Sequence, residues 1–131
     1  MPKSKYGRVV FNNNDLEPHE RKTVFTLSSF GFDVETIIPS HTPGSKNPDL
    51  LMLRTFWEMK GPTTPNENTI KKKFRKAVKQ SGGKAVFDLR NARKNEAETI
   101  ERSIMKLFDE IREMRRIMII ERDDEVIDFI K

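Results

Sequence analysis

The 131-residue chain contains no cysteine, which excludes disulfides, cysteine-rich zinc sites and thiol catalysis. No uninterrupted apolar run is long enough to cross a bilayer or to form a signal peptide. We therefore expect no membrane segment and a cytoplasmic site of action. Internal repeats and low-complexity tracts are also missing, and the length suits one domain spanning residues 1–131.

The net charge of +5 is distributed unevenly along the chain. Residues 66–95 carry 10 basic and 2 acidic side chains, whereas residues 96–131 carry 7 basic and 11 acidic ones. Clusters of lysine and arginine neutralise phosphates, so the basic block indicates a polyanionic substrate.

Two short apolar strands are predicted on either side of a turn near Arg54 and Thr55. Asp49 opens the first strand, and Glu58 and Lys60 lie near the end of the second. Strand side chains alternate between faces, so Glu58 and Lys60 point the same way, and a hairpin would bring Asp49 close to both. Two carboxylates beside an ammonium group suit a divalent cation and a phosphate, because Mg²⁺ is usually held by one or two carboxylates together with substrate phosphates.

An E-x-K pattern alone is a weak signal, and Glu58 and Lys60 would then be exposed neighbours on the outer face of an amphipathic strand. Three features favour a site instead: the Pro48-Asp49 pair, the apolar flanks, and the abrupt stop at Gly61-Pro62. We predict that neither carboxylate is part of the buried core.

A helix is predicted to begin after Glu17 and to end at Gly31. Val24 and Leu27 follow Glu20 at helical spacing, so Glu20 lies on the stripe that faces the core and could support the site. A carboxylate near a helix N-terminus is equally well explained by the helix dipole. Both interpretations stay open.

A second, strongly basic helix is predicted after Thr64 and Glu67, which are spaced as a capping box. Its buried stripe is formed by Ile70, Phe74, Ala77 and Val78. Few acids are available to pair with its lysines, so we favour a phosphate-contacting surface over a merely solvated face. The side chains predicted to contact nucleic acid are Lys72, Lys73, Arg75, Lys79 and, at the edge of the site, Gln80.

The remaining segments complete a mixed sheet. Residues 1–14 are predicted to be a frayed terminus or a short strand, and residues 32–38 and 85–90 are predicted strands. A long helix capped by Asn95 and Glu98 precedes two final strands. Because the basic helix lies between the second strand of the hairpin and the strand 85–90, these two strands should pair in parallel. The predicted fold class is α/β (α+β), with a mixed central β-sheet flanked by helices.

The order helix, three strands, helix, strand resembles the PD-(D/E)xK core of the restriction-endonuclease-like fold. Over about residues 17–91 the chain also resembles the C-terminal nuclease domain of contact-dependent growth inhibition toxins, which leaves residues 92–131 as a C-terminal helix and β-hairpin. The motifs that carry the likeness include Gly31-Phe32-Asp33-Val34, Lys46-Asn47-Pro48-Asp49, Trp57-Glu58-Met59-Lys60-Gly61-Pro62, Arg75-Lys76-Ala77 and Asp88-Leu89-Arg90.

The resemblance implies that Asp49, Glu58 and Lys60 bind a divalent metal, with Mg²⁺ as the expected ion, and catalyse phosphodiester hydrolysis. Glu20 would support the metal site. It also implies tRNA as the first substrate and DNA as the second, a cognate immunity protein as partner, and delivery into a target bacterium.

Three other functions stay open. The chain could be a DNA endonuclease of a mobile element, a non-catalytic nucleic-acid-binding module on a nuclease fold, or an interaction module whose acidic C-terminal region docks a basic partner. The two carboxylates argue against a pure binder, because they repel phosphates.

Overall fold

A computed structural model describes residues 6–131, so the first five residues of the predicted frayed terminus lie outside it. One seven-stranded sheet runs through the molecule, with its strands in the order of the chain. The strands are β1 (Val9–Phe11), β2 (Val34–Thr36), β3 (Leu50–Met52), β4 (Thr55–Lys60), β5 (Lys84–Asp88), β6 (Arg116–Ile120) and β7 (Val126–Ile130).

The sheet is mixed, and its pairing confirms the two predicted relationships around the centre. β3 and β4 form an antiparallel hairpin, and β4 pairs with β5 in parallel. The β1–β2 and β5–β6 pairs are also parallel, whereas the β2–β3 and β6–β7 pairs are antiparallel.

Three helices cover the two faces of the sheet: α1 (Pro18–Ser29), α2 (Glu67–Ser81) and α3 (Lys94–Glu110). α1 packs on one face through Val24 and Leu27, in a core cluster that includes Trp57 and Val86. α2 and α3 pack on the other face, against a cluster that includes Phe87. β5 is thus buried on both sides, as its apolar sequence requires. No helix among residues 6–131 is both long and apolar enough to cross a bilayer.

This arrangement confirms the predicted fold class and element order, since α1, β2, β3, β4, α2 and β5 follow one another as helix, three strands, helix and strand. The C-terminal helix and hairpin are α3, β6 and β7, which add two strands to the same sheet.

The hairpin turn lies one residue earlier than predicted. Leu53 and Arg54 are its two central residues, with φ of +54° and +61°, and Thr55 already belongs to β4 and pairs with Met52. A two-residue turn with positive φ at both positions matches the twist of the flanking strands. Neither residue is a glycine or asparagine, so the sequence carried no signal for this turn.

Both predicted helix caps are wrong. α2 is capped by Asn66, whose Oδ1 accepts a hydrogen bond from the Thr69 N–H at 3.1 Å, and Glu67 instead binds Lys106. α3 begins at Lys94, so Asn95 already lies inside the helix and does not cap it.

β5 ends two residues before the predicted strand does. Asp88 Oδ1 accepts a hydrogen bond from the Arg90 N–H at 3.0 Å, and Leu89–Asn91 form a 3₁₀ turn. A side chain that captures a nearby main-chain N–H in this way competes with the strand ladder.

Candidate active site

Asp49 lies where β3 leaves its ladder with β4. The last paired residues are Leu50 and Trp57, and beyond them the Asp49 N–H donates to Trp57 O at 3.0 Å. The Met59 N–H of β4 donates to Asp49 Oδ2 at 2.8 Å, and the Asp49 carbonyl accepts from the Ile37 N–H. The carboxylate is therefore fixed to the main chain of β4 beside Glu58.

Glu58 is buried, with 1% of its surface exposed, so the prediction that it lies outside the core is wrong. Lys60 Nζ lies 3.2 Å from Glu58 Oε2. Glu58 Oε1 has no hydrogen-bond partner, and in the described part of the chain no other buried side-chain oxygen or nitrogen is left in this state. A buried charged atom without a partner is costly and indicates a missing ligand or a catalytic role.

The same burial changes the acidity of both carboxyl groups. The pKa of Glu58 is raised to about 7, chiefly by burial and also by the charge of Asp49, while Lys60 opposes the shift. Burial also raises the pKa of Asp49, although the hydrogen bond from Met59 partly offsets this effect. A cation placed between the two carboxylates would favour the ionised form of each.

Glu20 lies in the first turn of α1 and caps that helix. Its Oε1 accepts a hydrogen bond from the Glu17 N–H at 3.0 Å, within a reciprocal capping box. Its charge also raises the pKa of Asp49. Nowhere in residues 6–131 do three Asp, Glu, His or Cys side chains converge closely enough to hold a metal ion. The structure thus brings together Asp49, Glu58 and Lys60, and a metal-binding role for Glu20 stays a prediction.

α2 presents a row of side chains to the site, consisting of Lys73, Lys76 and Gln80, which we call the inner row. Their spacing of three and four residues places them on one side of the helix. Lys76 lowers the pKa of both Asp49 and Glu58, as a nearby positive charge should. Burial, followed by the charges of Lys60 and Lys76, lowers the pKa of Lys73. The positive charges of α2 therefore reach the carboxylates.

Lys76 was not among the residues predicted to contact nucleic acid. The available signal was its position one turn after Lys73 and one turn before Gln80, but the sequence alone did not show which side of α2 faces β4.

Gln80 binds the loop that precedes β3. Its Oε1 accepts a hydrogen bond from the Asn47 N–H, and Asn47 Oδ1 in turn accepts one from the Ser40 N–H at 2.7 Å. Gln80 therefore holds the 39–47 loop beside the site. Its predicted contact with nucleic acid stays a prediction.

The other predicted phosphate contacts lie on a different side of α2. Lys72, Arg75 and Lys79 are exposed and form what we call the outer row. A surface groove of about 440 Å³ is lined by Asn68, Lys71, Lys72 and Arg75 and contains none of the site carboxylates. The burial of Ile70 and Phe74 confirms the predicted inward stripe, with Val78 half-buried.

A buried ion pair that the sequence did not predict lies at the end of β5. Arg90 donates to both oxygens of Asp88, at 2.9 and 2.6 Å, and the Thr23 hydroxyl donates to Asp88 Oδ2 at 2.6 Å. Arg90 also donates to Thr26 Oγ1 on α1 and to Asp124 Oδ1. Burial alone would raise the pKa of Asp88, but the hydrogen bonds from Arg90 and Thr23 hold it below its usual range. This network ties α1 to the sheet.

A surface cavity of about 530 Å³ lies away from these groups, between β1, β2 and β3. Its acidic side chains are already bonded, since Asp33 accepts from the Arg8 N–H and Glu35 accepts from Asn12. We place the candidate site at Asp49, Glu58 and Lys60 because the unpartnered carboxylate oxygen is there.

Comparisons with known proteins identify the family of the chain. The family model described as "Contact-dependent growth inhibition CdiA C-terminal domain" matches residues 46–126, a segment that contains Asp49, Glu58, Lys60 and all of α2. No curated protein matches the chain.

Among solved structures, the fold is similar to a chain of the "CdiA-CT/CdiI toxin and immunity complex from Burkholderia pseudomallei". The two share 20% sequence identity with a TM-score of 0.71, over 95% of this chain and 100% of that one. At this identity the likeness shows a shared fold. The family match covers more than half of the sequence, and the chain therefore belongs to the CdiA C-terminal domain family of contact-dependent growth inhibition.

Proposed function

We propose that the chain is the toxic nuclease domain of a contact-dependent growth inhibition system and that it hydrolyses phosphodiester bonds, first of all in tRNA, with the help of a divalent metal ion. The observation that carries this proposal is the buried, unpartnered Glu58 Oε1 beside the fixed carboxylate of Asp49 and the ammonium group of Lys60.

The residues present suit Mg²⁺. Oxygen ligands from one or two carboxylates, completed by water and substrate phosphate, are a common way to hold this ion. Asp49 and Glu58 would supply the two carboxylates, and a cation would satisfy the orphaned oxygen. When bound, such an ion polarises a phosphate oxygen and lowers the pKa of a coordinated water.

The side chains of the site have separate tasks in hydrolysis. Asp49 is held by the Met59 N–H, so its position is set before the substrate arrives. Lys60 lies beside Glu58, and 14% of its side chain is exposed. From this position its ammonium group can orient the attacking water or stabilise the charge that develops on the phosphoryl group. Because Glu58 is buried, little water competes with these interactions.

The basic surface of α2 supports nucleic acid as the substrate. Lys72, Lys73, Arg75 and Lys79 would contact phosphates, with Gln80 at the edge of the site. Structured RNA is recognised mainly through its shape and backbone, which suits a surface of lysines without exposed aromatic rings. We place tRNA before DNA because the chain's motifs resemble those of tRNA-cleaving toxin domains.

We further propose that a cognate immunity protein binds the chain and that the toxin acts inside a target bacterium. The support is family membership together with the similar solved structure, which is a toxin and immunity complex.

The experiment is an incubation of the purified chain with total tRNA and with plasmid DNA, each with Mg²⁺ and with EDTA. We expect discrete tRNA fragments with Mg²⁺ and intact tRNA with EDTA. Plasmid nicking with intact tRNA would assign the chain to DNA. Binding of both nucleic acids without cleavage of either would make it a non-catalytic binding module.

A further inference from the structure

We propose that α2 carries two separate phosphate-binding surfaces. In the inner row, Lys73 and Lys76 bind the phosphate that is cleaved, and in the outer row, Lys72 and Arg75 bind a phosphate elsewhere on the same substrate. This inference rests on the proposed nuclease function and adds Lys76 as a substrate-contacting residue.

The lysines of the inner row have no carboxylate in direct contact among the residues that the structure describes. Lys60, Lys73 and Lys76 act electrostatically on one another or on the same two carboxylates, Asp49 and Glu58. Glu58 forms an ion pair with Lys60, but no carboxylate of residues 6–131 lies within 4.0 Å of Lys73 or Lys76. Asp49, Glu58 and Glu20, whose charge also acts on Asp49, equal the three ammonium groups in number, so the site has no excess of negative charge to repel a phosphate.

Lys73 lies in an unfavourable position for a cation. It is half-buried on the side of α2 that faces Lys60, and two other ammonium groups lie close enough to repel its charge. Cations that repel one another are stabilised by an anion placed between them. A divalent cation held by Asp49 and Glu58 would give the site an excess of positive charge, and a phosphate is the anion that a nucleic acid brings.

The outer row has different surroundings. Lys72 and Arg75 line the groove with Asn68 and Lys71, which includes neither Asp49 nor Glu58. A phosphate bound in this groove is therefore not the one being cleaved. It would anchor the substrate through counterion release, which affects affinity rather than the chemical step.

The two surfaces predict opposite kinetic effects. For Lys76→Gln we expect the single-turnover cleavage rate at saturating tRNA to fall about 10²-fold, as when one donor to a developing anion is removed. For Lys72→Gln we expect a higher half-saturating protein concentration and a saturated cleavage rate within about twofold of the parent. A plot of log K for tRNA binding against log salt concentration should have a slope that is smaller in magnitude by about 0.7 to 0.9. Affinity is measured by fluorescence anisotropy in EDTA, where no cleavage occurs.

Controls separate a loss of charge from a loss of contact. Lys76→Arg keeps the charge and should recover most of the rate. Arg112→Gln removes one exposed positive charge from the segment that precedes β6. Because β4, β5 and β6 are parallel, the N-terminal end of β6 lies at the opposite edge of the sheet from the C-terminal end of β4, where Glu58 and Lys60 lie. It should match the parent in both assays. Lys73→Gln provides a second inner-row variant, and unchanged thermal melting confirms that each variant is folded.

Equal effects of Lys76→Gln and Lys72→Gln on the saturated rate would overturn the two-surface inference and leave the nuclease function standing. A parent protein that cleaves neither tRNA nor plasmid DNA with Mg²⁺ would overturn both.

Discussion

Lys60 Nζ lies 3.2 Å from one oxygen of the Glu58 carboxylate, while the other oxygen of the same group is buried without a partner. Lys60 therefore balances the charge of Glu58, but only one of the two carboxylate oxygens has a partner. Groups of this kind are rarely kept for stability alone, because an isosteric neutral residue would remove the penalty. The relationship between the two residues predicts that Glu58 destabilises the folded chain when no cation is bound.

Without a bound cation, stability should depend on pH through Glu58. Burial raises the folded-state pKa to about 7 from an ordinary value of 4.5, so the folded chain binds more protons than the unfolded chain between these values. Stability is then lost as pH rises from about 4.5 through about 7, by up to about 3 kcal/mol. Glu58→Gln should remove this loss, so that in EDTA its melting temperature exceeds that of the parent by more at pH 8 than at pH 5.

The comparison between the two proteins isolates the titration of Glu58 together with its coupling to Asp49. The pKa of Glu121 is also raised to about 7, but this group is present in both proteins and cancels in the difference. Melting curves whose separation is the same at every pH would show that Glu58 is not the group that titrates.

A divalent ion should stabilise the parent and not the Glu58→Gln variant. A ligand that binds only the folded state raises stability by RT ln(1 + [L]/Kd), which is about 2.7 kcal/mol at a hundred times the dissociation constant. We expect the melting temperature of the parent to rise with added Mg²⁺ or Mn²⁺ at constant ionic strength. An equal rise in both proteins would place the bound ion somewhere other than Glu58.

The network at the end of β5 should be important for stability. Asp88→Ala removes one partner of a buried ion pair. It leaves Arg90, of which 7% of the side chain is exposed, with the exposed Asp124 as its one remaining acidic partner in the described part of the chain. We expect a loss of about 3 kcal/mol in chemical denaturation. Glu98→Ala, which breaks an exposed helical pair with Arg102, should cost less than about 1 kcal/mol. Similar losses for both variants would show that the Asp88 pair contributes little.

Two glycines with positive φ distinguish a steric clash from backbone strain. A Cβ on Gly83 (φ +90°) would lie 2.0 Å from Glu113 O, whereas a Cβ on Gly44 (φ +79°) would have nothing within 4 Å. Both substitutions by alanine carry the penalty of positive φ, but only Gly83→Ala also forces the main chain apart. We expect Gly83→Ala to be less stable than Gly44→Ala by at least about 2 kcal/mol in denaturation experiments. Equal stabilities of the two variants would mean that the main chain around Gly83 can shift to avoid Glu113 without a cost in stability.

The sequence was sufficient for the fold class and for the proximity of Asp49, Glu58 and Lys60. The apolar runs around Asp49 and Glu58 are short and bounded by turn residues, so strand pairing followed from length and alternation. In a strand, side chains two residues apart lie on the same face, which places Glu58 and Lys60 together. The structure confirms that these two side chains are in contact.

The remaining features depend on contacts that are distant in sequence. The burial of Glu58 depends on the packing of α2 over β4. Whether Lys76 faces the site depends on how α2 is rotated about its axis, because successive side chains of a helix point in directions that differ by about 100°. The contact between Gln80 and Asn47 joins residues 33 positions apart. The turn at Leu53 requires positive φ in a residue that rarely adopts it, so tertiary context outweighed local preference.

The most direct test of the central claim is the single-turnover cleavage rate of tRNA with Mg²⁺ for the parent and for Glu58→Gln. The account predicts that the variant binds tRNA at least as tightly as the parent, because a charge that repels phosphate is gone, and that its rate falls by at least about a hundredfold, since even residues that only support metal ligands account for ten- to a hundredfold. A Glu58→Gln protein that cleaves tRNA as fast as the parent would contradict the assignment of the active site.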